Sequence, residues 1–185
     1  MCSDRATIDQ REIGLDALDF HSALKAMFRE DVDVAMIGEM RDPETMATAV
    51  TAAETGHLVF SSLHTNNAAQ TVDRIIDSFD SSQQNQIRAQ LASTLIGILS
   101  QRLIPKIGGG LAPAVEIMIA NPAIRNLIRE NKVHELDLVI ETSSAEGMIS
   151  LNRSLVNLVR SGDITVESAV NYSLNSGELQ LLLKG

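Results

Sequence analysis

Two short apolar runs in this chain each end in residues able to handle protons or phosphate. The first, Val32 to Ile37, passes through Gly38 into Glu39, Met40, Arg41 and Asp42; the second, HLVFSSLH, ends at His64 within LHTNN. A carboxylate can orient a water or help hold a metal, and an imidazole can meet a ligand's charge. Neither acts alone, so the elements that carry them decide whether they can cooperate.

Those elements read as a helix, a strand, a helix and a strand. Phe20, Ala23, Leu24, Met27 and Phe28 recur at helical spacing before the strand candidate 32–37. Asp42 suits an N-cap, Pro43 the first helical position and Glu44 the positive end of the dipole. Met46, Ala49, Val50 and Ala53 make that helix's apolar face, and Gly56 stops it. Two strands joined by one helix form a βαβ unit, with parallel strands and a right-handed crossover. Ligands of open parallel sheets bind beyond the carboxyl ends of the strands. Glu39 and His64 lie just past those ends, so the pattern places both at one sheet edge. His57 precedes the second strand, roughly seven residues at about 3.3 Å each from His64, too far to share a pocket. Plainer roles stand beside these: Glu39 in an ion pair with Arg41, His64 at the loop that caps the helix after Asn67, and His57 as a structural or subunit-contact residue.

Downstream, helices are expected over 68–79 and 82–95, the latter with Ile87, Leu91 and Leu95 on one stripe. ILSQRLIPK and APAVEIMIA read as two strands around Gly108, Gly109 and Gly110, a hairpin turn in preference to a phosphate loop. Beyond Asn121 the remainder reads as helix. Asn121 caps NPAIRNLIREN with Pro122 first; Ile124, Leu127 and Ile128 face inward, leaving Arg125, Asn126 and Arg129 outward. Further helices are expected over 151–160, 166–173 and 176–184. The fold class is α/β with a helical carboxyl-terminal region.

Composition narrows the function. At 185 residues and 44% hydrophobic the chain can bury a substantial core. A formal net charge of -9, a single tyrosine and no tryptophan argue against nucleic-acid binding, which needs a basic footprint. Cys2 alone cannot form an internal disulfide, and no apolar run approaches the roughly 18 residues of a membrane span, so the expected address is the cytoplasm. The four lysines, Lys25, Lys106, Lys132 and Lys184, precede Ala26, Ile107, Val133 and Gly185, so no G-x-x-x-x-G-K-[ST] phosphate cradle occurs.

IGEMRDPETMATAVTAAETGHLVFSSLHTNNAAQTVDRIID, followed by IGGG and AIRNLIRE at Ala123 to Glu130, resembles the PilT subgroup of the type IV pilus and type II/IV secretion ATPases. The resemblance runs from about Ile8 to Leu158. It implies a RecA-like core over 1–120, a carboxyl-terminal helical domain over 121–185, and a homo-hexameric, ATP-hydrolysing motor for pilus retraction and twitching motility. Such a motor sits on the cytoplasmic face of the inner membrane, peripheral at most, and acts with a platform protein of the pilus. In that light residues 34–42 look like an atypical Walker B box and 55–65 like the family's His box. Family members carry a PAS-like domain, a P-loop and an acidic box before the point where this sequence begins, so the chain is expected to be a carboxyl-terminal piece or a truncated product, inactive alone. MCSDRAT has no clear match, and Asp31-Val32-Asp33 stands where the family often has Asp-Pro-Asp.

The resemblance also implies roles. Glu39 would position the attacking water and hold Mg²⁺ through water, His64 would face the γ-phosphate of ATP, and Arg11 and Arg29 would reach a neighbour's nucleotide or else be solvated charges. Arg125, Asn126 and Arg129 would form a surface coupling hydrolysis to movement. The alternatives are a secretion-system ATPase of the same superfamily and a non-catalytic docking or regulatory module.

Overall fold

The computed structural model describes residues 6–184, which leaves Cys2 and most of MCSDRAT outside the described residues. The chain forms two compact units that part between Leu63 and His64.

The first unit is the expected βαβ arrangement with a helix before it. Helix α1 (Phe20–Met27) starts at Asp19, whose carboxylate accepts from Ser22 N–H. Strand β1 (Val34–Ile37) is two residues shorter at its start than the apolar run suggested. Asp31, in the loop between them, adopts φ 54°, a left-handed conformation that aspartate tolerates better than most residues. Helix α2 (Pro43–Glu54) begins as expected: Asp42 accepts from the Thr45 N–H at 2.8 Å and from its hydroxyl at 2.8 Å. These bonds, the backbone one first, hold the Asp42 carboxyl below its usual range. Gly56, at φ 99°, turns the chain out of α2, a geometry that costs glycine little. Strand β2 (Leu58–Ser61) then pairs parallel to β1, Val34 opposite Leu58 and Ile37 opposite Ser61.

Parallel partners share a face, so Ile37 and Val59 point to one side, where they pack with Leu24, Met40 and Ala49. On the other side Val34, Met36, Leu58 and Phe60 are exposed. In α2 it is Ala52, rather than the expected Ala53, that is fully buried.

The second unit joins helices to an antiparallel hairpin. Helices α3 (Ala68–Asp77) and α4 (Ser81–Thr94) precede β3 (Gly97–Pro105) and β4 (Leu111–Ile119), which pair over nine positions. Leu95 lies beyond the end of α4 in extended backbone, so it closes no helical stripe. Gly108, Gly109 and Gly110 all have positive φ, and Lys106 N–H donates to Gly110 O across the turn, as hairpin geometry requires. Helices α5 (Pro122–Arg129), α6 (Leu136–Thr142), α7 (Leu151–Arg160), α8 (Val166–Tyr172) and α9 (Ser176–Lys184) follow. Helix α6 falls within the stretch expected to be helical, without bounds of its own there; Val133, Leu136 and Ile140, all buried, sit at helical spacing. Among the described residues none of these helices is long and apolar enough to cross a membrane.

Packing is continuous across residues 120 and 121. Ile104, Ala112 and Ala114 from the hairpin share one core with Leu151, Leu155, Val156, Ile164, Ala169 and Leu179. Ile117 and Ile149 also exchange two backbone hydrogen bonds, so the helical region is stitched to β4. Leu155→Ala, at the fully buried centre of that core, is expected to destabilise the second unit by about 2–5 kcal/mol, measured by denaturant unfolding.

Candidate functional site

Glu39 follows β1 by two residues, and its backbone is fixed by the loop after β2. Met40 N–H donates to Ser62 O at 3.2 Å, and the Ser62 hydroxyl donates to Gly38 O at 2.5 Å. The parallel pairing of β1 and β2 thus continues past both strand ends and holds Glu39 at the carboxyl edge of the sheet. Its side chain is 24% exposed, and its Oε2 accepts from Arg41 Nε at 2.8 Å and lies 2.6 Å from Arg41 Nη2. The Arg41 guanidinium is stabilised in its charged form, chiefly by the hydrogen bond it donates to Glu39. The ion pair foreseen as the plainer reading of Glu39 is therefore present. It is largely solvated, so it adds little to stability, and a ligand with stronger charge could exchange for it.

His57 is held structurally. Its Nδ1 is 3.1 Å from Ala52 O and 3.1 Å from Thr55 Oγ1, and its ring meets Phe28 edge to face with centroids 5.5 Å apart. A carbonyl can only accept, which favours the tautomer with hydrogen on Nδ1. Arg11 forms an exposed ion pair with Glu30 at 2.8 Å, and Arg29 is exposed just past the end of α1.

His64 opens the second unit and is exposed. The loop after it is closely tied. Asn67 caps α3 by accepting from Gln70 N–H at 2.8 Å, and the Gln70 side chain accepts from Asn66 N–H at 3.2 Å, a capping-box exchange moved back one residue. The Thr71 hydroxyl donates to Asn67 O, which leaves Thr65 as the donor in the 2.7 Å contact between the two threonine hydroxyls.

Sequence reasoning passed over Glu116. It lies on β4, is 7% exposed, and its Oε1 accepts from Ala68 N–H, the first of α3, at 2.7 Å. Desolvation raises its carboxyl above the usual range, with Asp137 adding to that and Ala68 N–H and Arg102 opposing it. Glu116 shares a cavity of about 120 Å³ with Asn67, Asp137, Glu141, Asn152 and Glu178. Asp137 is raised by burial, and Glu141 by burial and then by Glu178. The alternation of β4 could have exposed Glu116 as a charge on the inward row of Ala112, Ala114 and Met118.

The AIRNLIRE helix corrects one expectation. Arg125 does not project outward: its Nη1 donates to Ala92 O at 2.8 Å and to Ser93 O at 2.6 Å, in the last turn of α4. Those carbonyls have no partner within their own helix, and a guanidinium there also meets the negative end of the dipole. The return connection runs from Arg88 on α4, whose Nη2 donates to Asn131 Oδ1 at 2.9 Å. Asn131, at φ 60°, closes α5 in a Schellman arrangement, with Lys132 N–H donating to Leu127 O and Asn131 N–H to Ile128 O. Helices α4 and α5 thus exchange arginines at their carboxyl ends. Asn126 and Arg129 are exposed, and Asn126 donates to Glu130 at 3.1 Å.

Two outcomes follow from this geometry. Arg125→Ala is expected to lower unfolding stability by about 1–3 kcal/mol through loss of two charge-assisted bonds, and Arg129→Ala to change it by less than about 0.5 kcal/mol, both by denaturant titration. The Glu116 carboxyl is raised in the folded chain, so its ionisation opposes folding increasingly as pH rises from its ordinary 4.5 through the raised value. Glu116→Gln removes that contribution; unfolding measured at several pH values should show a difference from wild type that moves in the variant's favour as pH rises through this window.

Comparison with known proteins adds the family context. The family model described as type II/IV secretion system protein matches residues 10–117. The chain is 48% identical over 175 residues to a twitching motility protein of Neisseria gonorrhoeae, covering 94% of this chain and 47% of that one. It is 48% identical over 167 residues to the type IV pilus retraction ATPase PilT of Pseudomonas aeruginosa, covering 90% and 48%. Among solved structures, the pilus retraction motor PilT with bound ADP matches with a TM-score of 0.82 at 50% identity, over 94% of this chain and 49% of that one. The ATPase DotB of Yersinia pseudotuberculosis matches with a TM-score of 0.81 at 27% identity, over 91% and 44%. The chain spans about half the length of the curated relatives it matches.

Proposed function

This chain belongs to the type II/IV secretion system protein family, and from that membership we propose that it is the carboxyl-terminal portion of a pilus retraction ATPase. The observation that carries the proposal is the likeness to the ADP-bound retraction motor, 50% identical over 94% of this chain with a TM-score of 0.82. A secretion-system motor is the weaker reading, because the solved DotB structure shares only 27% identity over a similar span.

In the proposed motor the chemistry is phosphoryl transfer, which depends on positioning and charge stabilisation. Glu39, held at the sheet edge by the Ser62 loop, orients the attacking water. Mg²⁺ keeps several waters and needs only one or two carboxylates besides phosphate oxygens, so Glu39 acting through water suits it. When bound, the ion would neutralise charge on the phosphates. His64 faces the γ-phosphate of ATP. Glu39 by itself suits the water-positioning role and His64 by itself the phosphate-facing one; no G-x-x-x-x-G-K-[ST] cradle occurs among these 185 residues, and the Gly108–Gly110 turn serves a hairpin. Arg11 and Arg29, both exposed, serve as cations toward a neighbour's nucleotide in a homo-hexamer. Arg11 would have to leave Glu30 to do so.

Residues 1–120 then contribute to the RecA-like core, and 121–185 form the helical portion that packs on the β3–β4 hairpin. Asn126 and Arg129 present the coupling surface toward a platform protein at the cytoplasmic face of the inner membrane, and Arg125 acts there by orienting α5.

The test uses a fusion of this chain to the amino-terminal half of a curated relative. The 185-residue chain alone is expected to show no ATP turnover. The fusion should hydrolyse ATP, and Glu39→Gln in it should lower kcat by about 10²–10³-fold with its hexameric state unchanged. Glu39-dependent turnover by the chain alone would overturn the need for a cradle, and an inactive but hexameric fusion would favour the docking module.

A further inference from the structure

Ala68 N–H poses a problem that the chain's own sequence does not solve locally. It is the first N–H of α3, and a helix leaves its first four N–H groups without intrahelical partners. Asn67 satisfies the N–H of Gln70 and does not reach Ala68. At most helix starts water would serve, but Ala68 is fully buried. Glu116 supplies the acceptor from β4, at 2.7 Å and 48 residues further along the chain.

A carboxylate is a costly choice for that place. Its inward row on β4 is otherwise Ala112, Ala114 and Met118, burial opposes its charge, and Asp137 on α6 repels it. Besides the Ala68 N–H, only the charge of Arg102 on β3, among the described residues, favours its ionised form, while Glu141 on α6 and Glu178 on α9 add negative charge around the shared cavity. What the carboxylate gains is the positive end of α3, directly after the tied loop that begins at His64.

We propose that Glu116 is a positioning residue for His64: by holding the first N–H of α3 it fixes the helix end from which residues 65–67 hang, and with them the backbone that aims the imidazole. The same carboxylate touches the cavity walled by α6 and α9, so the helical region and the His64 loop meet at one group. Displacement of α6 or α9 reaches His64 through Glu116. The consequence for hydrolysis rests on the reading of His64 as the phosphate-facing residue; the positioning itself does not.

The experiment follows Ala68 and His64 by NMR in the isotope-labelled 185-residue chain without nucleotide, comparing wild type with Glu116→Ala and Glu116→Gln. Loss of one buried hydrogen bond predicts Ala68 amide exchange faster by about tenfold in Glu116→Ala, with Leu155 and Val156 of α7 unchanged. The imidazole chemical shifts of His64 should move in Glu116→Ala and return most of the way in Glu116→Gln, whose amide oxygen can still accept. Unchanged Ala68 and His64 signals would overturn the proposal. So would equal acceleration at Ala68 and Leu155, which marks general loss of stability, or a Gln variant matching the Ala variant at His64, which assigns the shift to charge alone. If Glu116→Ala does not fold, Glu116→Gln decides: Ala68 exchange slower than in the unfolded chain with near-native His64 imidazole shifts supports positioning, and displaced shifts overturn it. Because nucleotide is absent, failure of the ATPase reading would leave this outcome intact, and the reverse holds.

Discussion

The strict alternation of β4 is the constraint on which the second unit depends. Ala112 and Ala114 point inward and are small, so Leu155 and Val156 of α7 can press against the strand and share a core with Ile164, Ala169 and Leu179. A shift of one residue in register would turn that row outward and expose the core. Nine paired positions with β3 and the two bonds between Ile117 and Ile149 make such a slip costly. The same row carries Glu116 inward, so the packing that builds the core also delivers a carboxylate to the start of α3.

Helix ends organise much of the rest. Asp19, Asp42, Asn67, Asn121, Ser150 and Thr165 each accept a backbone N–H at the start of a helix. The carboxyl ends of α4 and α5 are served by long-range partners, Arg125 for one and Arg88 through Asn131 for the other. Paired in this way, the two helices cannot turn independently without leaving carbonyls or a guanidinium partly unserved. In the proposed motor this makes AIRNLIRE a rigid lever more than a row of free contacts, with Asn126 and Arg129 as its exposed portion.

The first unit shows why a parallel strand pair suits a site and does not complete one. Its carboxyl edge is fixed by bonds that continue beyond the strands, which orders Glu39 without enclosing it. Parallel sheets are ordinarily covered on both faces, and here Val34, Met36, Leu58 and Phe60 lie uncovered. Phosphate chemistry needs charge held from several directions, and in the proposed motor those directions come from the cradle and from neighbouring subunits.

What the sequence determined by itself was local or periodic. Asp42, Pro43 and Gly56 bounded α2, and Asn121 with Pro122 opened α5, because caps and turns act over three or four residues. Apolar spacing gave β1, β2, the hairpin and most helices, and motif order gave the family. Tertiary structure decided the partners of polar groups far apart in the chain: Arg125 turned onto α4, Arg88 reached Asn131, and Glu116 found Ala68 across 48 residues. It also carried the core past residue 120, where the resemblance implied a boundary. The physical reason is that a buried hydrogen bond or ion pair is chosen by which donors and acceptors packing leaves unserved, and that is settled only when distant elements have met.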